Sequence, residues 1–300
     1  MTVCVAALAH DCQAIVLIAD KALTYGDNEY QPALQGDTGV EKMLPICSSG
    51  DDGQKCQWSA LIAGDATVAQ DVVRRAQDAL SLNPLLRETD SGMMICLKSA
   101  YQQAREQGVL ETVLQPKLLT KDLVLARGKD MIPLPDAFFR EVVEEIAHYA
   151  LGCNLLVCGF DAAGRGHIFS VSDPGIANIY DMGGFGTLGI GQETALSRLL
   201  WLDAAKDDDV DVALYQVFDA KAHAEMIQGV GYNSDGWIMV PGKTVNVPRR
   251  IMDLINTVYN YQTRLPFKPR KGWDPIESPP ENWEKTLRTF TNKVLRDLPK

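Results

Sequence analysis

Threonine at position 2 is the residue of this chain whose placement most directly suggests chemistry. It leaves a small side chain behind Met1, the kind that methionine aminopeptidases permit to be exposed. A free N-terminal threonine holds a nucleophile and a base in one residue. Its Oγ can attack a carbonyl while its own α-amine, with a pKa near ~7.7–8.0, takes the proton. Threonine is also a common second residue, so alone the feature selects no function. A second pattern, Gly184-Phe-Gly186-Thr-Leu-Gly189, matches G-x-G-x-x-G literally. A dinucleotide fingerprint must follow a parallel strand and precede, by about 20 residues, an acid that ends the next strand. Here the preceding segment reads as antiparallel and the later region as helical, so a tight glycine-rich strand and turn is the better reading. No P-loop, G-x-S-x-G elbow or H-E-x-x-H is present. The four histidines (10, 148, 167 and 223) are not at metal-ligand spacing, and neither a metal nor a cofactor is expected.

The elements that must position Thr2 follow from hydrophobic periodicity. Residues 2–8 and 14–19 read as short strands, with His10-Asp11 at the turn between them. A polar stretch at 25–39 precedes a short strand at 42–46, and a Gly/Ser/Asp loop at 48–53 leads to a strand at 57–63. Gly64-Asp65 ends that strand, and Asp65 is placed to cap a helix running to about Leu82, in which Val68, Val72, Val73, Ala76 and Leu80 share a face. A second helix is expected at 91–114, and Pro116, Gly128, Pro133 and Pro135 mark a surface insertion at about 105–135. A helix at 136–151 precedes an apolar strand at 154–160, with antiparallel neighbours at 165–171 and 176–180. Helices at 192–205 and 210–227 and a strand at 236–240 complete a domain spanning residues 2–240. Residues 241–300 form a C-terminal extension, with helices at 248–262 and 281–298 around a Pro-rich stretch at 265–280. Antiparallel blocks of strands separated by groups of helices argue for an α+β class, not for alternating βαβ units. Two sheets face to face with helices outside both, a four-layer αββα sandwich, would use every element.

Bulk properties remove several function classes. A formal net charge of −10 argues against nucleic acid and anionic membrane surfaces as partners, since both need clustered Lys and Arg. No apolar run approaches the ~20 residues that span a bilayer. The start has no basic leading segment and meets Asp11 early, which argues against a secretory signal. Seven cysteines, odd in number and without a C-x-x-C pair, fit a reduced, cytoplasmic compartment.

Further residues then fall into order around Thr2. Thr2-Val-Cys-Val opens a strand, a second strand ends in Ala19-Asp20, a third opens at Lys42, and a fourth ends in Ala63-Gly64 at a helix start. Asn154-Leu-Leu-Val-Cys-Gly-Phe-Asp, the Ser170–Pro174 turn, Gly189-Ile-Gly191 before a helix and Gly236-Trp-Ile-Met-Val continue the pattern. This resembles the proteasome β-subunit-like N-terminal nucleophile hydrolase family, in its bacterial proteasome-like branch. The resemblance implies that Lys42 favours the Thr2 alkoxide by charge proximity, that Asp20 holds and orients Lys42, and that the Gly64 amide stabilises the oxyanion. It further implies a peptide or amide substrate, a Thr2 acyl-enzyme, and assembly into a ring or similar homo-oligomer, with an unfoldase partner unknown. Each residue also has a plain alternative: Asp20 as a strand end, Lys42 as a solvated strand edge, Gly64 as a helix-entry turn.

The pattern departs from that family at three places. Its serine in the glycine turn is replaced by Ile190, with Thr187, Thr194 or a water as substitutes. Its Asp and Ser after the last helix align with Glu225 and Gln228, which could support the amine. Its basic residue after the Asp falls on Ala22, with Lys21 next to it. Two rival readings therefore stand beside a threonine peptidase: a catalytically silent structural or assembly subunit, and a small-molecule amidase. A nucleotide-binding oxidoreductase built on residues 184–189 is a distant third.

Overall fold

The computed structural model describes residues 2–21, 23–25, 34–36, 42–47, 56–121, 124, 135–264 and 279–296. The loop at 48–53, most of the polar stretch at 25–39, Gly128 and Pro133 of the insertion, most of the Pro-rich stretch at 265–280, Met1 and Ala22 lie outside the described residues.

Strand β1 (Val3–Ala9) and β2 (Ala14–Asp20) form an antiparallel hairpin. They lie in a five-stranded sheet of order β10-β1-β2-β11-β12, with β10 at Phe185–Gly189, β11 at Ser234–Val240 and β12 at Lys243–Asn246. A short pair, β3 (Leu23–Tyr25) and β4 (Leu34–Gly36), stands apart from it. The second five-stranded sheet runs in chain order: β5 (Met43–Cys47), β6 (Gln57–Gly64), β7 (Cys153–Phe160), β8 (Gly166–Ser172) and β9 (Ile176–Ile179). All pairings are antiparallel.

The helices among the described residues are α1 (Ala66–Leu82), α2 (Asp90–Val109), α3 (Asp136–His148), α4 (Gln192–Trp201), α5 (Val210–Ala224), α6 (Arg249–Arg264) and α7 (Trp283–Arg296). Strand β1 explains how sheets and helices share the interior. Successive side chains of a strand point to opposite faces. Val3, Val5 and Ala7 pack with Leu199, Val217, Ile255 and Leu287 of α4–α7. Cys4, Ala6 and Leu8 pack instead with Leu61, Leu156 and Ile168 of the second sheet. A third core joins the second sheet to α1 and α2 through Trp58, Ile62, Val72, Leu97 and Tyr101. Strands buried on both faces read as continuous apolar runs, which is why β1 and β2 lack a polar alternation.

Several elements differ from the periodicity. The second helix ends at Val109 and passes through a wider turn (Leu110–Leu114) into a 3₁₀ turn at Gln115–Lys117, because Pro116 has no N–H to continue the helical ladder. Helix α4 stops at Trp201 rather than 205, and α5 at Ala224 rather than 227. Strand β12 is an addition: all its residues but Val245 are polar and exposed, so it carries little hydrophobic signal, and Gly242 at φ +79° turns the chain into it.

Candidate active site

The antiparallel register of β1 and β2 pairs Cys4 with Ala19, and one step further along it sets Asp20 beside Val3 and hence next to Thr2. The Val3 amide donates to Asp20 Oδ1 at 3.2 Å. Lys42 reaches the same point from the second sheet: it leads into β5, and its carbonyl accepts from the Ile62 amide of β6 at 3.0 Å. The Thr2 hydroxyl donates to Asp20 Oδ1, and the Lys42 ammonium donates to Thr2 Oγ1. Lys42 Nζ also lies 2.7 Å from Asp20 Oδ1. Thr2, Asp20 and Lys42 are 4%, 1% and 5% exposed, so Lys42 is not the solvated strand edge that was one alternative. A hydroxyl between a buried ammonium and a buried carboxylate is chemically equipped for nucleophilic attack.

Gly64 ends β6, two residues after the Ile62 amide that binds Lys42. Its φ is +93°, and a Cβ there would stand 2.2 Å from the Gly152 carbonyl oxygen, which itself accepts the Asp65 amide at 2.9 Å. The local fold therefore requires glycine at 64. Asp65 caps α1 through the Thr67 and Val68 amides, at 2.8 and 3.1 Å.

The glycine turn after β10 faces Thr2 from the other side. Gly189 pairs with Val3, has φ +95°, and a Cβ on it would come within 2.2 Å of the Thr2 carbonyl oxygen. Ile190 is 51% exposed. The Thr187 hydroxyl donates to the Gln192 carbonyl at 3.1 Å, within the first turn of α4. The G-x-G-x-x-G stretch thus lies in and just before an antiparallel strand, which excludes a dinucleotide fingerprint.

Glu225 and Gln228 are not brought against Thr2 in the same way. Gln228 is exposed, and Glu225 receives the Lys221 ammonium at 2.6 Å. Lys221 and Gly231 are functional candidates that the motif reading passed over. The Gly231 amide donates to Asp20 Oδ2 at 2.8 Å, and Lys221 Nζ binds the Gly231 carbonyl at 2.7 Å. The available signal was a lysine within the apolar run of α5, four residues before a glutamate. Cys4 also lies near Lys42 and Asp20; burial pushes its thiol up to about 12, so it stays protonated.

A second ionisable cluster contains the only grouping among the described residues with metal-ligating atoms close together: Asp90, His167 and Asp181, within 4.8 Å of one another. His167 Nδ1 lies 2.6 Å from Asp181 Oδ2, its Nε2 lies 3.4 Å from Asp161 Oδ2, and its ring stacks on Trp58. Burial disfavours the charged imidazole, but the two carboxylates outweigh it and raise the pKa above its ordinary value. The arrangement is that of an ion-paired histidine.

No family model and no curated protein matches the chain. Among solved structures it is similar to the Anbu (Gly-1) mutant from Hyphomicrobium sp. strain MC1, with a TM-score of 0.61 and 14% identity, covering 92% of this chain and 100% of that one. This corrects the family drawn from the motifs, the proteasome β-subunit-like hydrolases of the bacterial proteasome-like branch: the likeness found is to Anbu, and no family model supports the β-subunit assignment. The motifs misled because they are single residues at strand ends together with short apolar strands and glycine turns, which the fold alone can demand. At 14% identity the likeness is one of fold.

Proposed function

We propose that this chain is an N-terminal-threonine hydrolase of amide bonds, with Thr2 as nucleophile once Met1 is removed. The observation that carries the reading is the buried Thr2 hydroxyl held between Asp20 and Lys42. In the reaction, Thr2 Oγ bonds to the substrate carbonyl carbon and its proton passes to the α-amine. The Lys42 ammonium stabilises charge on Oγ, and Asp20 keeps that ammonium aimed. The Gly64 amide is assigned to the oxyanion. Collapse of the tetrahedral adduct breaks the C–N bond, the amine product leaves with the proton, and water then releases the acyl group from Thr2. A peptide is the substrate we favour; a small-molecule amide is the variant of the same chemistry.

The three apolar cores support an αββα layering. Exposed Leu200 and Trp201 on α4 support self-association into a ring or similar homo-oligomer. The seven cysteines are free thiols, as a reducing cytoplasm maintains them. No helix among the described residues is long and apolar enough to cross a membrane. A catalytically silent subunit is the second reading, favoured by Ile190 and by the engagement of Thr187 with the α4 backbone.

Intact mass and turnover decide between the two. The hydrolase reading expects a purified protein lacking Met1 that cleaves fluorogenic peptides or simple amides, with activity absent in Thr2→Ala. Retention of Met1 with no turnover of either substrate class sinks it in favour of the silent subunit.

A further inference from the structure

We propose that Lys221 is a positioning residue for the Thr2 site, acting on Asp20 through the backbone of Gly231. The proposal rests on the hydrolase reading above and extends it beyond the residues that meet the substrate.

Lys221 is 0% exposed, on a helix whose neighbouring Val217, Ala220, Ala222 and Ala224 are also buried. Removing an ammonium from water is costly unless its donors are satisfied. An ammonium has three donors, and here each finds an acceptor: Glu225 Oε1 at 2.6 Å, the Gly231 carbonyl at 2.7 Å and the Tyr232 carbonyl at 3.0 Å. Two consecutive carbonyls on one cation fix the orientation of that stretch of backbone. The chain arrives there from the end of α5 through Gly229, whose φ of +100° turns it back toward β2.

The consequence falls on Asp20. With its carbonyl held by Lys221, Gly231 directs its N–H to Asp20 Oδ2 at 2.8 Å. The other oxygen, Oδ1, meets Thr2, Val3 and Lys42. Gly231 therefore fixes one end of a carboxylate whose other end aligns the nucleophile and its cation. Charges alternate along the chain of contacts from Glu225 through Lys221 to Asp20 and Lys42. Without Lys221 the 231–232 backbone loses its anchor, the Gly231 N–H no longer fixes Oδ2, and the carboxylate can tilt about its Oδ1 contacts. Rate is sensitive to misplacements well below an ångström.

Lys221 also sits in the last turn of α5, where any cation favours the helix dipole, so stability alone does not identify the role. The double substitution Lys221→Met with Glu225→Gln removes both charges and leaves no orphaned carboxylate. The expected result is a folded protein whose kcat falls by roughly 10- to 100-fold with KM within about threefold. The Gly231 amide exchanges with deuterium about tenfold faster or more, and β11 amides keep their protection. A folded variant with kcat within about twofold of wild type, or with Gly231 protection unchanged, overturns the proposal. If the double variant does not fold, Lys221→Arg takes its place; its longer side chain is expected to shift Gly231 and lower both readouts. Rate loss with unchanged protection, or no change in either, overturns the proposal there too. Absence of hydrolysis in the wild type would remove the Thr2 reading, while the exchange measurement would still decide whether Lys221 holds Gly231.

Discussion

Two clusters of buried ionisable side chains among the described residues differ in what they enclose. At Thr2 a lysine and an aspartate, 5% and 0% exposed at their side chains, enclose a hydroxyl that belongs to neither. At His167 the side chains are 10% exposed for the imidazole and 20% for each carboxylate, and the ring nitrogens are taken up by Asp181 and Asp161. The nearby Ser170 hydroxyl, on the same strand, is engaged with Tyr180 at 3.1 Å. Paired charges are common to both clusters; a nucleophile between them is not. The contrast teaches that a perturbed titratable group marks a packing solution as readily as a reactive one.

The comparison breaks most easily at Lys42. Lys42→Met leaves Asp20 buried without its cation and is expected to cost about 3–5 kcal/mol in urea unfolding. A loss below about 1 kcal/mol would mean that this pair behaves like a surface ion pair. Next is Gly189→Ala, which forces a side chain into φ +95° and against the Thr2 carbonyl. The expected destabilisation is about 1–3 kcal/mol, with a loss of hydrolysis that exceeds the unfolded fraction because Thr2 itself is displaced. Asp65→Ala removes the α1 cap just after Gly64 and should cost about 1 kcal/mol in the same assay.

The smallest effect belongs to the second cluster and carries a sign. The His167 pKa is raised, so its contribution to stability is complete below the unfolded value of about 6.5 and is lost as pH rises through the folded value. The Tm of the wild type should therefore fall between about pH 6 and 8.5 by more than that of His167→Gln. An equal fall in both proteins would show that the imidazole carries no charge in the fold.

What was legible in the chain was mostly local. Asp65 reads as a helix cap because an acceptor precedes an apolar 3.6-residue pattern, and it is one. The strands around Thr2 are apolar runs bounded by turn residues, and β1 and β2 match them within one residue. Ends of helices were less legible: α5 reads on to 227, but the Ile227 amide closes a separate turn onto Ala224. The order of Asp20, Lys42 and Gly64 on strand ends singled them out, and the structure brings Asp20 and Lys42 to Thr2, but a misassigned family came with them. Gly231 was not legible, because its part is played by a backbone amide 211 residues from Asp20 in the chain. Nor was the steric need for Gly189, which only the register of β10 against β1 creates.

The most direct test is covalent labelling with an electrophile that takes up a nucleophilic hydroxyl, followed by peptide mapping by mass spectrometry. The account predicts one adduct per chain, on an N-terminal peptide that begins at Thr2, and its absence in Lys42→Met. An N-terminal peptide that retains Met1 and carries no adduct, or labelling that survives Thr2→Ala, would contradict it.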